Sequence, residues 1–375
     1  MTNFIDYINW RGDLGFEQSP FNDVDNLIFA QLAYTNFDEI FKTGKEEMTI
    51  KEFGEKFFAK YTEEEIEKTF IQNVYAVAII EKAMKSERFA NLKLYGYVNK
   101  IDYERVSQFA AVTIVINEDM EYVAFRGTDN TIVGWREDFN MSFLSPVPAQ
   151  IEAVKYMNKI GKKGKSFFLG GHSKGGNLAV YAATKCDAKV QKKIKTIFNN
   201  DGPGFGSGFM DGTDYKEISS KIRTIIPQSS AVGIMLEHEK NYKVIKSNQI
   251  AFRQHDTLSW EVLGTGFIYL EELTKGSKHV GKTITNWLDT LNKDEKAEFI
   301  EALFGILEAP GAKTFEDVIA EKWTILKNIK NLDEDTRKAI FKAIGLLITE
   351  NNKIIKHNIL KKTPFKSNDE KISLE

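Results

Sequence analysis

Five residues, Gly171-His172-Ser173-Lys174-Gly175, constrain this chain more than any other stretch. Before them runs Ser166-Phe167-Phe168-Leu169-Gly170, a short apolar segment ending in glycine that reads as a buried strand. After them runs Gly176-Asn177-Leu178-Ala179-Val180-Tyr181-Ala182-Ala183, small and apolar at helical spacing. A strand that becomes a helix within a few residues leaves no room for side chains beside the turn, which is the reason for glycine on both sides of the serine. The turn forces the serine backbone into a strained conformation and holds its hydroxyl out above the sheet. A helix N-terminus lies beneath, where its partial positive charge favours developing negative charge. In that setting Gly-x-Ser-x-Gly is a nucleophile elbow; elsewhere it is a glycine-rich turn with an incidental serine.

The chain has 375 residues, 42% of them hydrophobic, enough for one large domain and an appendage. A formal net charge of −2 argues against nucleic acid as the main partner. The single cysteine, Cys186, allows no intramolecular disulfide and no cysteine-rich metal site, and is expected to be a buried, inert thiol. Neither a metal nor a cofactor is expected. Met1 to Asp6 has no basic segment leading into an apolar run, and no stretch approaches the roughly 18 apolar residues of a membrane span. The expectation is a cytoplasmic protein without an integral membrane segment.

Residues 24–34 and roughly 63–85 read as helices, the second opening on Thr62-Glu63-Glu64-Glu65. Phe109 to Ile116 and Glu121 to Phe125 read as a hairpin around Asn117-Glu118-Asp119-Met120. Ala149 to Lys162 is amphipathic (Ile151, Val154, Met157, Ile160), and after the elbow Ile194–Asn199, Lys221–Ile226 and Ile250–Phe252 read as strands. Alternating strands and helices imply a mostly parallel sheet with helices on both faces, and with the elbow motif the expectation over residues 1–270 is the α/β-hydrolase fold. From about Glu271 the pattern turns helical: Lys296–Leu307, Phe315–Leu332 and Thr336–Asn351, with a Thr314/Asp317 capping box and a break at Pro310-Gly311. Residues 271–375 are therefore expected to form a helical appendage, frayed from Lys361 onward.

Serine needs a base to become a nucleophile. Five histidines are available: His172, His238, His255, His279 and His357. In an α/β-hydrolase the base follows the last core strand, and His255 fits, just after Ile250-Ala251-Phe252. His172 lies in the elbow with its side chain expected to point away from the base, His238 reads as part of a solvated helix face, and His279 and His357 fall in the appendage. Asp201 is the expected acid, giving the order Ser173…Asp201…His255, although Gly202-Pro203-Gly204 beside it also suits a simple turn aspartate. Asp256, Glu237, Glu239 or a Ser229 hydroxyl remain alternatives. For the oxyanion hole, one donor is the backbone N–H of Lys174. The second is expected from Thr128, in a loop where Gly127 allows close approach; Arg126 is expected to form a structural ion pair, with Asp138 the partner considered.

Phe125-Arg126-Gly127-Thr128, Trp135, Asp138 and the elbow together resemble class 3 (fungal-type) lipases. In those a serine or threonine after Arg-Gly is the second oxyanion donor, which implies that role for Thr128. Residues 1–265 are more similar still to a bacterial family of lipase-like α/β-hydrolases of unassigned substrate. That resemblance runs through Trp10-Arg11-Gly12-Asp13, Phe21 to Leu27, Asp201 to Phe205, Pro227 to Gly233 and His255 to Trp260. Class 3 lipases carry their acid after the strand where this chain has Ser229, so the acid stays open at this point. The implied activity is a serine esterase or lipase-like hydrolase acting on a small-molecule ester or lipid-like substrate. An acyltransferase or thioesterase on the same site is the alternative, as is a catalytically inactive interaction protein. Lipase action would also call for an apolar lid, and Phe139 to Pro148 is the segment considered, with a core-packed loop as the alternative.

Overall fold

The computed structural model describes residues 2–42, 45–69, 74–162, 164–274 and 292–330, with the single positions 334, 337 and 340. Two helices open the chain, α1 (Phe4–Arg11) and α2 (Asp23–Leu32), each with an Asn–Asp capping box at its start, Asn3 with Asp6 and Asn22 with Asp25. There follow β1 (Glu47–Thr49), α3 (Ile50–Lys60), α4 (Glu63–Thr69), α5 (Val74–Ala83), β2 (Lys93–Asp102), β3 (Ser107–Val115) and β4 (Met120–Phe125). Next come α6 (Ile132–Asn140), α7 (Pro148–Ile160), β5 (Ser166–His172), α8 (Lys174–Lys185), α9 (Ala188–Gln191), β6 (Ile194–Asn200), α10 (Thr213–Ile218), β7 (Ile222–Pro227) and β8 (Tyr242–Ile245). The short strands β9 (Val262–Leu263), β10 (Gly266–Phe267) and β11 (Tyr269–Leu270) complete the sheet region.

One sheet carries the order β1-β2-β3-β4-β5-β6-β7-β8-β11. Its centre, β4 to β8, is parallel, and antiparallel pairs finish both edges. The strands read as nearly continuous apolar runs because helices cover both faces. Alternation still sorts the side chains. On β4, Tyr122 and Ala124 join the core formed with α1, α2, α3 and α5, while Val123 and Phe125 join the core formed with α7 and α8. On β3 the same split divides Val112 and Ile114 from Phe109 and Ala111. This is the α/β-hydrolase fold.

Register positions the site. His172 on β5 pairs with Asn200 on β6, so Ser173 and Asp201 are the next residues of adjacent parallel strands, side by side at the carboxyl edge. Of three further helices, Lys293–Glu308, Phe315–Ala320 and Lys322–Lys330, the first packs on α6 and the third packs against the other two. Ile300, Leu303, Phe304, Leu307 and Phe315 form a small core with Ile132, and Trp135, Phe139 and Phe143 pack against it.

Several expectations change. Ile250–Phe252 is not a strand: residues Ala251–His255 form a 3-10 turn, because the last parallel strand is β8, in a segment whose Lys and Tyr masked its pattern. Strands β1 and β2 and helices α1 and α3 also went unread. Within the expected 63–85 helix, Glu63–Thr69 and Val74–Ala83 are helical, and residues 70–73 lie outside the described residues. Phe315–Leu332 breaks at Glu321, whose φ of −92° and ψ of 15° leave the helical region, while the Thr314–Asp317 box stands as expected. His238 lies in an irregular loop rather than on a helix face, with Nδ1 3.2 Å from the Leu236 carbonyl oxygen. The Phe139–Pro148 segment is packed: the Phe139 ring meets Phe304 at 5.5 Å, and Val147 is buried. His279, His357 and the Thr336–Asn351 helix lie outside the described residues, apart from positions 337 and 340.

Candidate active site

Ser173 has φ 58° and ψ −134°, a conformation L-residues avoid at a cost of about 1–3 kcal/mol. Two features hold it there. Its N–H donates to the Asn200 carbonyl at 3.0 Å, and α8 starts at the next residue. At Gly175, helix and strand come so close that a Cβ would sit 2.2 Å from the Phe125 carbonyl oxygen, so only glycine fits.

Asp201 also has a positive φ, 51°, with its N–H on the Ile225 carbonyl at 2.8 Å. Its side chain is fully buried, and Oδ2 lies 2.7 Å from His255 Nδ1. Oδ1 accepts from the Ser230 hydroxyl at 2.5 Å and the Gly233 N–H at 3.2 Å. Asp201 faces His255 from the end of β6, and the loop after the next strand contributes the Ser230 hydroxyl. The alternatives to Asp201 are engaged elsewhere. Asp256 caps Leu258 N–H and accepts from Tyr75, the Ser229 hydroxyl meets Thr274, Glu239 meets Tyr215, and Glu237 accepts from Gly208 N–H. With Nδ1–H directed at Asp201, Nε2 of a neutral His255 presents a lone pair, the state a general base requires.

The His255 loop is pinned from two sides. Gln254 Oε1 accepts the Ser229 N–H at 2.7 Å, and the Gln254 carbonyl accepts from buried Trp260 Nε1 at 2.8 Å. His172, expected to point away, instead lies against His255. The ring centroids are 4.4 Å apart, and His172 Nε2 lies 3.0 Å from the His255 carbonyl oxygen. An N–H must face a carbonyl, so His172 Nε2 donates. Sequence reasoning missed His172, Gln254 and Trp260 as supports, and only the His255-to-Trp260 stretch hinted at the last.

On the other side of Ser173 lies the loop after β4. A Cβ at Gly127 would sit 2.1 Å from the Tyr34 hydroxyl and 2.5 Å from the His172 carbonyl oxygen, so this loop too needs glycine for close approach to the elbow. The Thr128 hydroxyl donates to Asp138 Oδ2. Arg126 pairs with Asp129 at 3.0 Å and bonds Asn99, which corrects Asp138 as its expected partner: Asp129 is three residues away in the same loop, whereas Asp138 faces Thr128 and Lys174. Burial pushes the Asp138 carboxyl up to about 6, against the opposing pull of Lys174 and the Thr128 hydrogen bond. Cys186 is buried, and desolvation raises its thiol to about 12, an inert group.

Among the described residues no helix is long and apolar enough to cross a membrane, and no cluster of three or more His, Cys, Asp or Glu side chains could hold a metal ion.

The fold is that of an α/β-hydrolase, and it carries a serine on a strained strand-to-helix turn with a histidine–carboxylate pair at the same sheet edge. The chain belongs to the Mbeg1-like family, whose model matches residues 83–305, more than half of its length. No curated protein matches it. Solved structures similar to it include the M37 lipase, at 17% identity and a TM-score of 0.33, over 47% of this chain and 70% of that one. The native lipase–propeptide complex of Rhizomucor miehei gives 14% and 0.33 over 50% and 70%. The lipase of Rhizopus microsporus var. chinensis gives 12% and 0.36 over 72% and 84%.

Proposed function

We propose that this protein is a serine hydrolase of carboxylic esters, lipase-like in its preference for lipid-like substrates, working through an acyl-enzyme on Ser173. His255 takes the Ser173 proton as the hydroxyl oxygen attacks the ester carbonyl. Asp201 holds the imidazole in the required tautomer and stabilises the imidazolium that forms. The tetrahedral oxyanion is met by the backbone N–H groups of Lys174 and Thr128. The Thr128 hydroxyl has one proton, and it is given to Asp138. That hydroxyl therefore fixes the loop, and the backbone N–H faces the oxyanion. Collapse expels the alcohol, protonated by His255, and water activated by the same base releases the acid. We also propose that residues 1–270 are the hydrolase domain and residues 271–375 its helical appendage.

The observation that carries this reading is the 2.7 Å contact of buried Asp201 with His255, beside a serine on a strained strand-to-helix turn. Turnover of a short-chain nitrophenyl ester tests it. Ser173→Ala should lose about 10⁴-fold or more in kcat with an unchanged melting temperature. Wild-type turnover in the folded variant would remove the proposal.

A further inference from the structure

The side chain of Lys174 is the least expected group near the site. It is fully buried, at the first residue of a helix, where the helix dipole disfavours a cation. A buried ammonium is costly, and an apolar chain of the same length would fill the space. The ammonium donates to the Gln108 carbonyl at 3.1 Å, to Gln108 Oε1 at 2.8 Å and to Glu137 Oε2 at 3.2 Å. Glu137 is itself fully used, accepting the Gln108 N–H at 2.9 Å and the Ala149 N–H at 2.7 Å. One buried ion pair thus ties the starts of β3, α7 and α8 to α6. The next residue of α6 is Asp138, whose Oδ1 lies 3.6 Å from the ammonium and whose Oδ2 takes the Thr128 hydroxyl proton.

Resting on the reading of Ser173 as nucleophile, we propose that Lys174 serves the oxyanion hole twice. Its backbone N–H is one donor, and its ammonium is a positioning group that keeps Asp138 ionised, so that Asp138 holds the Thr128 loop and its N–H in place. A carboxylate accepts the Thr128 proton; a carboxylic acid brings a proton of its own and competes for the same hydroxyl oxygen. Burial alone favours the acid, and Lys174 is the first charge opposing it. The other charged or titratable groups around the pair are Glu137 on α6, Arg126 and Asp129 on the loop after β4, and Tyr34 after α2. For Lys174 itself, burial works against the charge, but Glu137, Asp138 and Asp129 outweigh it and hold the amine above the ordinary lysine value. The cation is therefore present throughout the working pH range.

The test is the pH profile of Lys174→Met on a short-chain nitrophenyl ester, beside wild type. Near pH 7 the variant should lose on the order of 10²-fold in kcat with KM little changed, the size of a lost oxyanion donor. At least ten-fold of that should return near pH 9, as Asp138 ionises without its cation, moving the acid limb of the profile upward by a pH unit or more. Lys174→Arg keeps a positive charge at every pH, so its loss should be the same across the range and its acid limb should match wild type. A loss in Lys174→Met that is equal at pH 7 and pH 9 marks a purely structural lysine and overturns the proposal, as does a loss below about three-fold. If Lys174→Met does not fold, the Arg variant decides: a raised acid limb there overturns the proposal, and an unmoved one supports it. Wild-type enzyme with no Ser173-dependent turnover would instead sink the underlying reading.

Discussion

The two flanks of Ser173 are built on different physical principles. On the flank proposed to supply the acid, Asp201, Ser230, Gly233 and His255 form a compact set of hydrogen bonds around one carboxylate. On the flank proposed to form the oxyanion hole, Lys174, Glu137 and Asp138 gather a buried cation and two carboxylates, and the Thr128 hydroxyl donates to Asp138. Support differs as well. Strand register and a loop pinned by Trp260 hold the acid flank. The oxyanion flank is braced by residues far along the chain. Ile132 N–H donates to the Lys313 carbonyl at 2.8 Å, Phe315 N–H to the Asn130 carbonyl at 3.1 Å, and Arg136 pairs with Glu301 and Glu308. The segment behind Thr128, where an apolar lid was considered, is instead packed under the helices that follow Asn292. A site can thus have one half set by local strand order and the other by a charge cluster that only the folded chain assembles.

The largest expected effect breaks the acid flank. Asp201→Asn keeps the volume and an acceptor for Ser230, but its amide stabilises the wrong imidazole tautomer. A loss on the order of 10⁴-fold in kcat with KM little changed is expected, measured beside a melting curve. Activity within a few-fold of wild type would make Asp201 a turn residue and the two flanks alike in having no committed acid.

A smaller effect sharpens the contrast through stability. Asp138 ionises near 3.8 when unfolded and near 6 when folded. A raised folded value means that its contribution to stability is full below about pH 4 and is lost as pH rises through 6. Asp138→Asn cannot ionise. At pH 8 it should therefore be more stable than wild type, by on the order of 1 kcal/mol after allowing for partial exposure, while turning over more slowly. The gain should vanish near pH 4. Thermal melts at the two pH values check this, and a variant less stable than wild type at pH 8 would show that the ionised carboxylate stabilises the fold.

That Asp201 and His255 would come together near the Ser173 turn was legible in the sequence. The elbow announces itself through glycine sterics, Asp201 ends the neighbouring strand β6, and His255 follows later in the chain, beyond β8. Legibility stopped where partners lie far apart in the chain. Nothing local to Lys174 marks its side chain as buried, because Gln108, Glu137 and Asp138 arrive from other elements. His172 was misjudged because its own position predicts its direction, but not the neighbour that the His255 loop brings to it. Strand β8 was missed because Tyr242-Lys243-Val244-Ile245 is short, and the residues before His255 are apolar enough to imitate a strand.

The most direct measurement is covalent. The protein would be incubated with a fluorophosphonate at neutral pH, digested, and the adduct mapped by mass spectrometry. The proposed nucleophile, base and acid predict a single stoichiometric adduct on Ser173, absent after Ser173→Ala and slowed by orders of magnitude in Asp201→Asn. An adduct on another residue, or none on folded protein, would contradict the account.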